Sequence, residues 1–468
     1  MRRARSRSVR RLAPLCLLSL LLLATGACTR SAPRPAATAA DFGAGPIVVA
    51  SGRDVTGKDG VRQRLIDAWN DKQRDQGTGY RARLVELPGS ADEQRSQLLG
   101  ALQSGSSSYD VVNLDVTWVP EFAEAGLIEP LPDDMVDSDV IPPVAATARW
   151  KGRVYAVPFN SDVGLLYYRR DYLRAAGYDD ASFSANLTWS TLQERGEAVE
   201  TQADHPKEFR TWTTQLAPYE GFTVNALEAF ASATTDFSLT DASGRYTATR
   251  QELTDGITEL RRRVESPYTL AAAKDSYEPQ SLGSFTEGHT VFLRHWPYAY
   301  STLHQTFNDE QLGVAPLPGR AVLGGQNLAV ASASHRSKGA ADLISYLTTA
   351  ESERCLLDAG FAATRVKTYQ QDSVRCPPAA SAASPSASPG GESAKSKMPR
   401  DAAGRPQYAR GILLPALRSA VLRPRTPFYG AFTQTFTDTL RPLLDGDPPS
   451  DAVLAGRLDA ALRKVLPH

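Results

Sequence analysis

Three aromatic rings stand on alternate positions around a proline in FLRHWPYAYS, residues 292–301: Trp296, Tyr298 and Tyr300. At strand spacing they point to one face. Such a row either fills a core or forms a flat apolar wall for a ligand that has a flat apolar side. Two carboxylates also stand at telling places. Asp115 ends the apolar run YDVVNLD, and Asp162 closes PFNSD. A carboxylate accepts two hydrogen bonds side by side, and bonds to a charged group are the stronger kind. Asp115 has a plainer use as the cap of the helix that follows, and Asp162 as a turn residue. Other chemistry is poorly supplied. Among six histidines the only close pair is His289 and His295, without the HExxH spacing of a zinc helix. No GxSxG, P-loop or dinucleotide motif occurs. Neither a metal site nor a cofactor is expected.

The N-terminus sets the compartment. Arg2, Arg3, Arg5, Arg7, Arg10 and Arg11 precede LCLLSLLLLATGA, an apolar run too short to span a bilayer comfortably, so residues 1–27 read as an export signal. LLATGAC puts small residues directly before Cys28 and resembles a bacterial lipoprotein box, in which the cysteine is lipidated and becomes the first mature residue. Thr25 stands where a larger aliphatic residue is usual, and a secretory signal with a chance cysteine is the alternative. The chain has 52 basic and 52 acidic residues, but the signal holds six arginines and no acids, so the mature net charge is about −6. No basic patch argues for nucleic acid. Residues 28–45 form a Pro/Ala/Ser/Thr tether. Cys16 lies in the signal, which leaves Cys355 and Cys376, twenty-one positions apart, as an expected disulfide worth roughly 3 kcal/mol on the loop-entropy model.

The elements that must position these side chains alternate. PIVVAS reads as a strand, and GVRQRLIDAWNDKQRDQG as a helix with Val61, Leu65 and Trp69 on one face. YRARLVELP is a strand, SADEQRSQLLGALQSG a helix capped by Ser90, and YDVVNLD a strand again. That order predicts a parallel sheet with Asp115 at the edge where ligands bind in open α/β sheets. Two extended runs, 153–157 and 163–168, flank PFNSD, which reads as a crossing between lobes. WSTLQERGEAVE opens a helix with Ser190 as cap, and KGAADLISYLTTAESERCLLDAG reads as one helix. Residues 377–400 are low-complexity and read as a disordered insertion. The Arg261–Arg263 run reads as a solvated helix face.

Five blocks carry a family likeness: YDVVNLDVTWVPEFAEAGLIEPL, GRVYAVPFNSDVGLLYYRRDYL, HWPYAYS, GGQNLAVAS and RPRTPFYGAFTQ. Their order and spacing resemble the extracellular solute-binding proteins of carbohydrate ABC importers, nearest the trehalose- and maltose-binding lipoproteins. The resemblance covers roughly residues 45–460. It implies an α/β fold of the type II periplasmic-binding-protein kind, with two lobes, hinge crossings and a cleft between them. On this chain the first lobe is expected at 41–158 and 319–360 and the second at 159–318 and 361–468, with crossings near Phe159, Pro318 and Gly360. The likeness also implies roles. Asp115 matches a sugar-binding aspartate of the first lobe, and Asp162 a binding position from the second side. Trp296 matches the stacking tryptophan, with Tyr298 beside it. Arg423 matches a cleft arginine, whose alternative is a pairing with an acid. Gly325 matches a glycine that lets backbone approach the ligand, and Tyr429 an aromatic facing the cleft. Gln326 departs from relatives that carry a second tryptophan there, so an amide replaces one stacking wall. Arg53 or Asp54 is a further candidate for the mouth.

The resemblance thus implies a monomeric, non-enzymatic receptor, lipid-anchored through Cys28 to the outer face of the cytoplasmic membrane. It would deliver a di- or oligosaccharide to the permease subunits of an ABC importer. Two other classes compete: a secreted glycosidase using Asp115 and Asp162 as its acid/base pair, and a sensor or interaction module on the same fold.

Overall fold

The computed structural model describes residues 45–53, 60–178, 187–264, 267–377 and 397–468. The export signal, Cys28, nearly all of the tether, Asp54 and most of the 377–400 insertion lie outside the described residues.

The first strands form as their patterns predict. β1 (Ile47–Gly52) is buried along its whole length, and β2 (Ala82–Leu87) and β3 (Val111–Asp115) pair with it in parallel on either side. The helix Val61–Asp75 connects the first two strands and buries Val61, Leu65, Ile66 and Trp69, the face that its spacing marks out. The helix Ala91–Gln103 opens on a reciprocal cap: Ser90 Oγ accepts from the Glu93 N–H, and the Glu93 carboxylate accepts from the Ser90 N–H at 2.6 Å.

A short hairpin follows, β4 (Arg149–Trp150) and β5 (Arg153–Val154), turned by Lys151 and Gly152 at φ 47° and 80°. Then come β6 (Val157–Val163) and β7 (Leu165–Arg169), separated by Gly164 alone. β8 (Arg210–Thr213), β9 (Thr290–His295), β10 (Leu312–Pro316) and β11 (Leu323–Val330) complete the strands.

Two sheets result. The first has the order β2-β1-β3-β11-β6 and the second β10-β7-β9-β8. The chain therefore leaves the first sheet at Gly164 and returns between Pro316 and Leu323. A later stretch comes back beside β6, where the Ser161 N–H donates to the Ala362 carbonyl at 2.8 Å.

This corrects the reading of PFNSD. Those residues belong to β6 and pair antiparallel with β11, so the first passage falls a few residues beyond Phe159, and Asp162 shares a sheet with Asp115 instead of facing it from the other side.

The aromatic block departs from strand geometry as well. β9 stops at His295, and Pro297, whose fixed φ suits a helix start, leads into the short helix Tyr298–Leu303. Tyr300 turns into the core against Tyr408, with ring centroids 4.2 Å apart, while Tyr298 meets the edge of His295. Trp296, Tyr298 and Tyr300 do not form one wall.

Smaller differences have equally local causes. Thr188, not Ser190, caps the helix Trp189–Gln202 by accepting from the Thr191 N–H. The segment read as one helix is two, Ser337–Leu347 and Ala350–Asp358, because Thr349 takes an extended conformation and caps the second. Arg263 in the Arg261–Arg263 run is buried, pairing with Glu259 at 2.9 Å instead of facing solvent. Cys355 and Cys376 are joined as a disulfide.

Candidate ligand-binding cleft

Strand register builds one wall. β11 lies between β3 and β6, so Gln326 stands opposite Asp115 on one side, and Gly324 opposite Asp162 on the other. Between them Gly325 has φ 111°, and a methyl group there would come within 2.5 Å of the Asn160 carbonyl oxygen. Only glycine fits this close approach of two backbones. The opposite wall comes from the second sheet and its helices. Trp296 follows β9 directly, and its indole packs at the surface of Gly324, where a methyl group would lie 3.1 Å from Cζ3. Two Tyr-Glu dipeptides, 219–220 and 277–278, each place the glutamate at the first residue of a helix, Glu220–Ala233 and Glu278–Thr286. The positive end of a helix dipole favours a carboxylate there.

These residues enclose a cleft with about 520 Å³ of empty space, part of it open to solvent. Asp115, Asp162, Trp296, Gly325, Gln326 and Arg423 all line it, joined by Tyr219, Glu220, Glu278 and Gly324. Tyr298 and Tyr429 do not line it. Tyr298 packs half-buried beside the core, and Tyr429 is only 1% exposed, its hydroxyl donating to Glu220 from behind the cleft. Arg53 is exposed and also outside the lining. His295 is fully buried, and desolvation pushes its pKa down to about 3, so it stays neutral. Among the described residues no group of three or more His, Cys, Asp or Glu side chains is arranged to hold a metal ion.

Arg423 is the hub of the polar network. Its Nη2 donates to both oxygens of Asp115 at 2.8 and 3.0 Å, and its Nη1 donates to Glu220 Oε1 at 2.6 Å. The acid pairing weighed as the alternative for Arg423 is therefore present, and the paired groups still border the cleft. Burial works against the guanidinium charge, and the Asp115 and Glu220 carboxylates more than offset it, holding the pKa well above the ordinary value. Asp115 Oδ1 accepts in addition from the N–H and hydroxyl of Thr117, at 2.9 and 2.8 Å, which fixes its orientation.

Asp162 is less well served. The residue is half-buried, but its Oδ1 is sealed from solvent without a hydrogen-bond partner. Desolvation pushes its pKa up to about 7, with the Arg62 charge opposing and the Asp115 charge adding. Glu220 is likewise pushed up to about 7, by burial first, although Arg423 pulls it down. Gln326 holds its amide oxygen toward Arg62 Nη2 at 2.9 Å and Asn113 Nδ2 at 2.6 Å.

The indole of Trp296 is fixed too. Its Nε1 donates to Glu278 Oε1 at 3.3 Å, and the buried Arg294 guanidinium lies over the ring, 3.9 Å from its centroid. Glu220 and Glu278 carry no sequence motif of their own. The one signal is a carboxylate opening a helix directly after a tyrosine, twice; the two tyrosine rings lie 4.4 Å apart.

Such a site holds donors and acceptors from both sheets around one aromatic face, and it marks a two-lobed receptor for a polar ligand. Comparison with known proteins agrees. The family described as bacterial extracellular solute-binding protein matches residues 66–381, and the chain belongs to that family. A probable ABC transporter-binding protein of Deinococcus radiodurans is 29% identical over 322 residues, which are 66% of this chain and 73% of that one. Among solved structures, maltose-bound T. maritima MalE3 superposes with a TM-score of 0.70 at 24% identity, covering 90% of this chain and all of that one. The GacH receptor of Streptomyces glaucescens, solved unliganded and with acarbose, gives 0.69 at 19% identity over 90% of this chain and 98% of its own. The fold is thus the two-lobed α/β fold of these receptors. By family the chain is a bacterial extracellular solute-binding protein, a receptor and not an enzyme. No described helix is long and apolar enough to cross a membrane.

Proposed function

We propose that this chain captures a di- or oligosaccharide in the cleft, as a monomer held through lipid on Cys28 at the outer face of the cytoplasmic membrane, and hands it to the permease subunits of an ABC importer. The observation that carries the reading is the pairing, in one cavity, of the Asp115–Arg423 couple with the indole of Trp296 from the other sheet. A sugar offers hydroxyls on its rim and a strip of C–H groups on each ring face. The carboxylates and Arg423 suit the rim, and the indole suits the face. Asp162 and the Gln326 amide add polar partners, and Gly325 lets backbone come close. The maltose and acarbose named for the solved relatives support the same ligand class.

Capture at micromolar concentration needs about −8 kcal/mol. A few hydrogen bonds to charged groups, at about 1.5–3 kcal/mol each, and one stacked face reach that value. Closure follows because a ligand touching both lobes has differential affinity for the closed state.

A thermal-shift screen against maltose, trehalose, maltotriose and other glycosides tests the reading. A ligand at 100 times its dissociation constant adds about 2.7 kcal/mol. A panel in which amino acids or polyols stabilise the protein and no saccharide does would overturn the ligand class. Palmitate labelling that persists in Cys28→Ser would overturn the anchor.

A further inference from the structure

Two charged residues outside the cleft touch its indole and two of the stretches by which the chain passes between the sheets. Arg294 precedes Trp296 by two positions on β9 and is 1% exposed, its guanidinium lying over the indole. Its Nε and Nη2 donate to the two oxygens of Glu228 at 3.0 and 2.7 Å, and Glu228 is 2% exposed. Nη1 also reaches Gln215 Oε1 at 3.4 Å. Glu228 Oε1 accepts in turn from the Val322 N–H at 3.3 Å, on the stretch by which the chain returns to the first sheet. On another passage, a methyl group at Gly164 would come within 2.3 Å of Glu228 Oε1 and 3.0 Å of Arg294 Nη2. One buried ion pair therefore backs the indole and abuts two of the passages, at Gly164 and at Val322. A buried pair is weak evidence for stability, since well-packed apolar residues serve a core as well or better. Its geometry asks for another use.

We propose that Glu228 and Arg294 are a positioning pair: they hold the Trp296 ring in the plane a ligand meets and tie that ring to the two chain passages, so that loading the ring and closing the lobes are one event. The inference rests on the reading of Trp296 as the ligand platform. Arg294 acts through the indole, as a cation held against its hidden face. Glu228 acts through Arg294 and through the Val322 amide.

The test uses the whole mature chain in three variants: Arg294→Met, Glu228→Gln with Arg294→Met, and Arg294→Lys. The double variant leaves no buried charge behind, so it separates the platform from simple destabilisation, and urea unfolding checks that each variant folds. In sugar-free protein, the indole N–H resonance of Trp296, assigned with Trp296→Phe, is expected to shift and broaden in the first two variants while those of Trp69 and Trp150, which unlike Trp189 and Trp212 do not share a cavity with the pair, hold. Calorimetric affinity for maltose, trehalose or maltotriose is expected to fall about tenfold in those variants, in line with a desolvated cation–π contact, and to recover in part in Arg294→Lys. Small-angle scattering should show a smaller sugar-induced compaction. An unmoved Trp296 resonance in the folded double variant overturns the proposal, as does wild-type affinity with wild-type compaction. If the wild-type chain binds none of these sugars, the ligand class fails while the resonance still decides the positioning role.

Discussion

Asp162→Asn should make the sugar-free protein more stable, and only above a definable pH. The carboxyl has a folded-state pKa of about 7, against about 3.9 in an unfolded chain. Between those values the folded protein keeps a proton that the unfolded chain has lost. Stability therefore falls as pH rises from about 4 to 7 and levels off beyond, the reverse of a salt-bridged aspartate. A shift of roughly three pK units at 1.36 kcal/mol each sets an upper bound of about 4 kcal/mol on the penalty at pH 8. Asparagine keeps the size and removes the charge, so the variant should gain about 2–4 kcal/mol at pH 8 and almost nothing at pH 4. Glu220, also raised to about 7, retains part of the wild-type slope. Urea unfolding followed by tryptophan emission at pH 4, 6 and 8 measures the difference. Equal stability at pH 8, with an unchanged pH slope, refutes the claim that this carboxylate is held in the cleft at the fold's expense. The same variant should bind sugar about tenfold more weakly or worse, since a hydrogen bond to a charged group is worth about 1.5–3 kcal/mol.

Three further outcomes follow from the geometry. Arg423→Met strips Asp115 and Glu220 of their shared guanidinium and should cost about 3–5 kcal/mol in urea unfolding, as removal of one partner from a buried ion pair does. Gly325→Ala must hold a side chain at φ 111° against the Asn160 carbonyl, and its melting temperature should drop by an amount matching about 2 kcal/mol or more. Replacing Cys355 and Cys376 together by serine should lower stability by roughly 3 kcal/mol, with sugar affinity unchanged because neither residue lines the cleft.

What the sequence made legible was what short-range pattern encodes. Ser90 and Glu93 announce a helix start, Val61, Leu65 and Trp69 its buried face, and Asp115 the end of a buried strand. PFNSD misled because polar residues inside a strand look like a loop until the partner strand is known; β11 supplies the partner about 160 residues later in the chain. WPYAY misled because a period of two persists across the proline, although the proline starts a helix. Glu220 and Glu278 stayed hidden because their meaning lies in contacts that span the chain: Arg423 reaches Glu220 across 203 positions. Tyr429 was placed near the right group and on the wrong side of it, since an aromatic beside an arginine motif says nothing about which face of its helix is buried. The family likeness pointed to Asp115, Asp162, Trp296, Gly325, Gln326 and Arg423, which line the cleft. Their charge states and hydrogen-bond partners come from the fold.

Titration calorimetry on the wild-type chain and Trp296→Ala, with maltose, trehalose and maltotriose, bears most directly on the claim that a sugar lies across that indole. The account predicts micromolar binding of at least one of them by the wild type and its near-complete loss in the variant, with the urea midpoint little changed. Undiminished affinity in folded Trp296→Ala contradicts it.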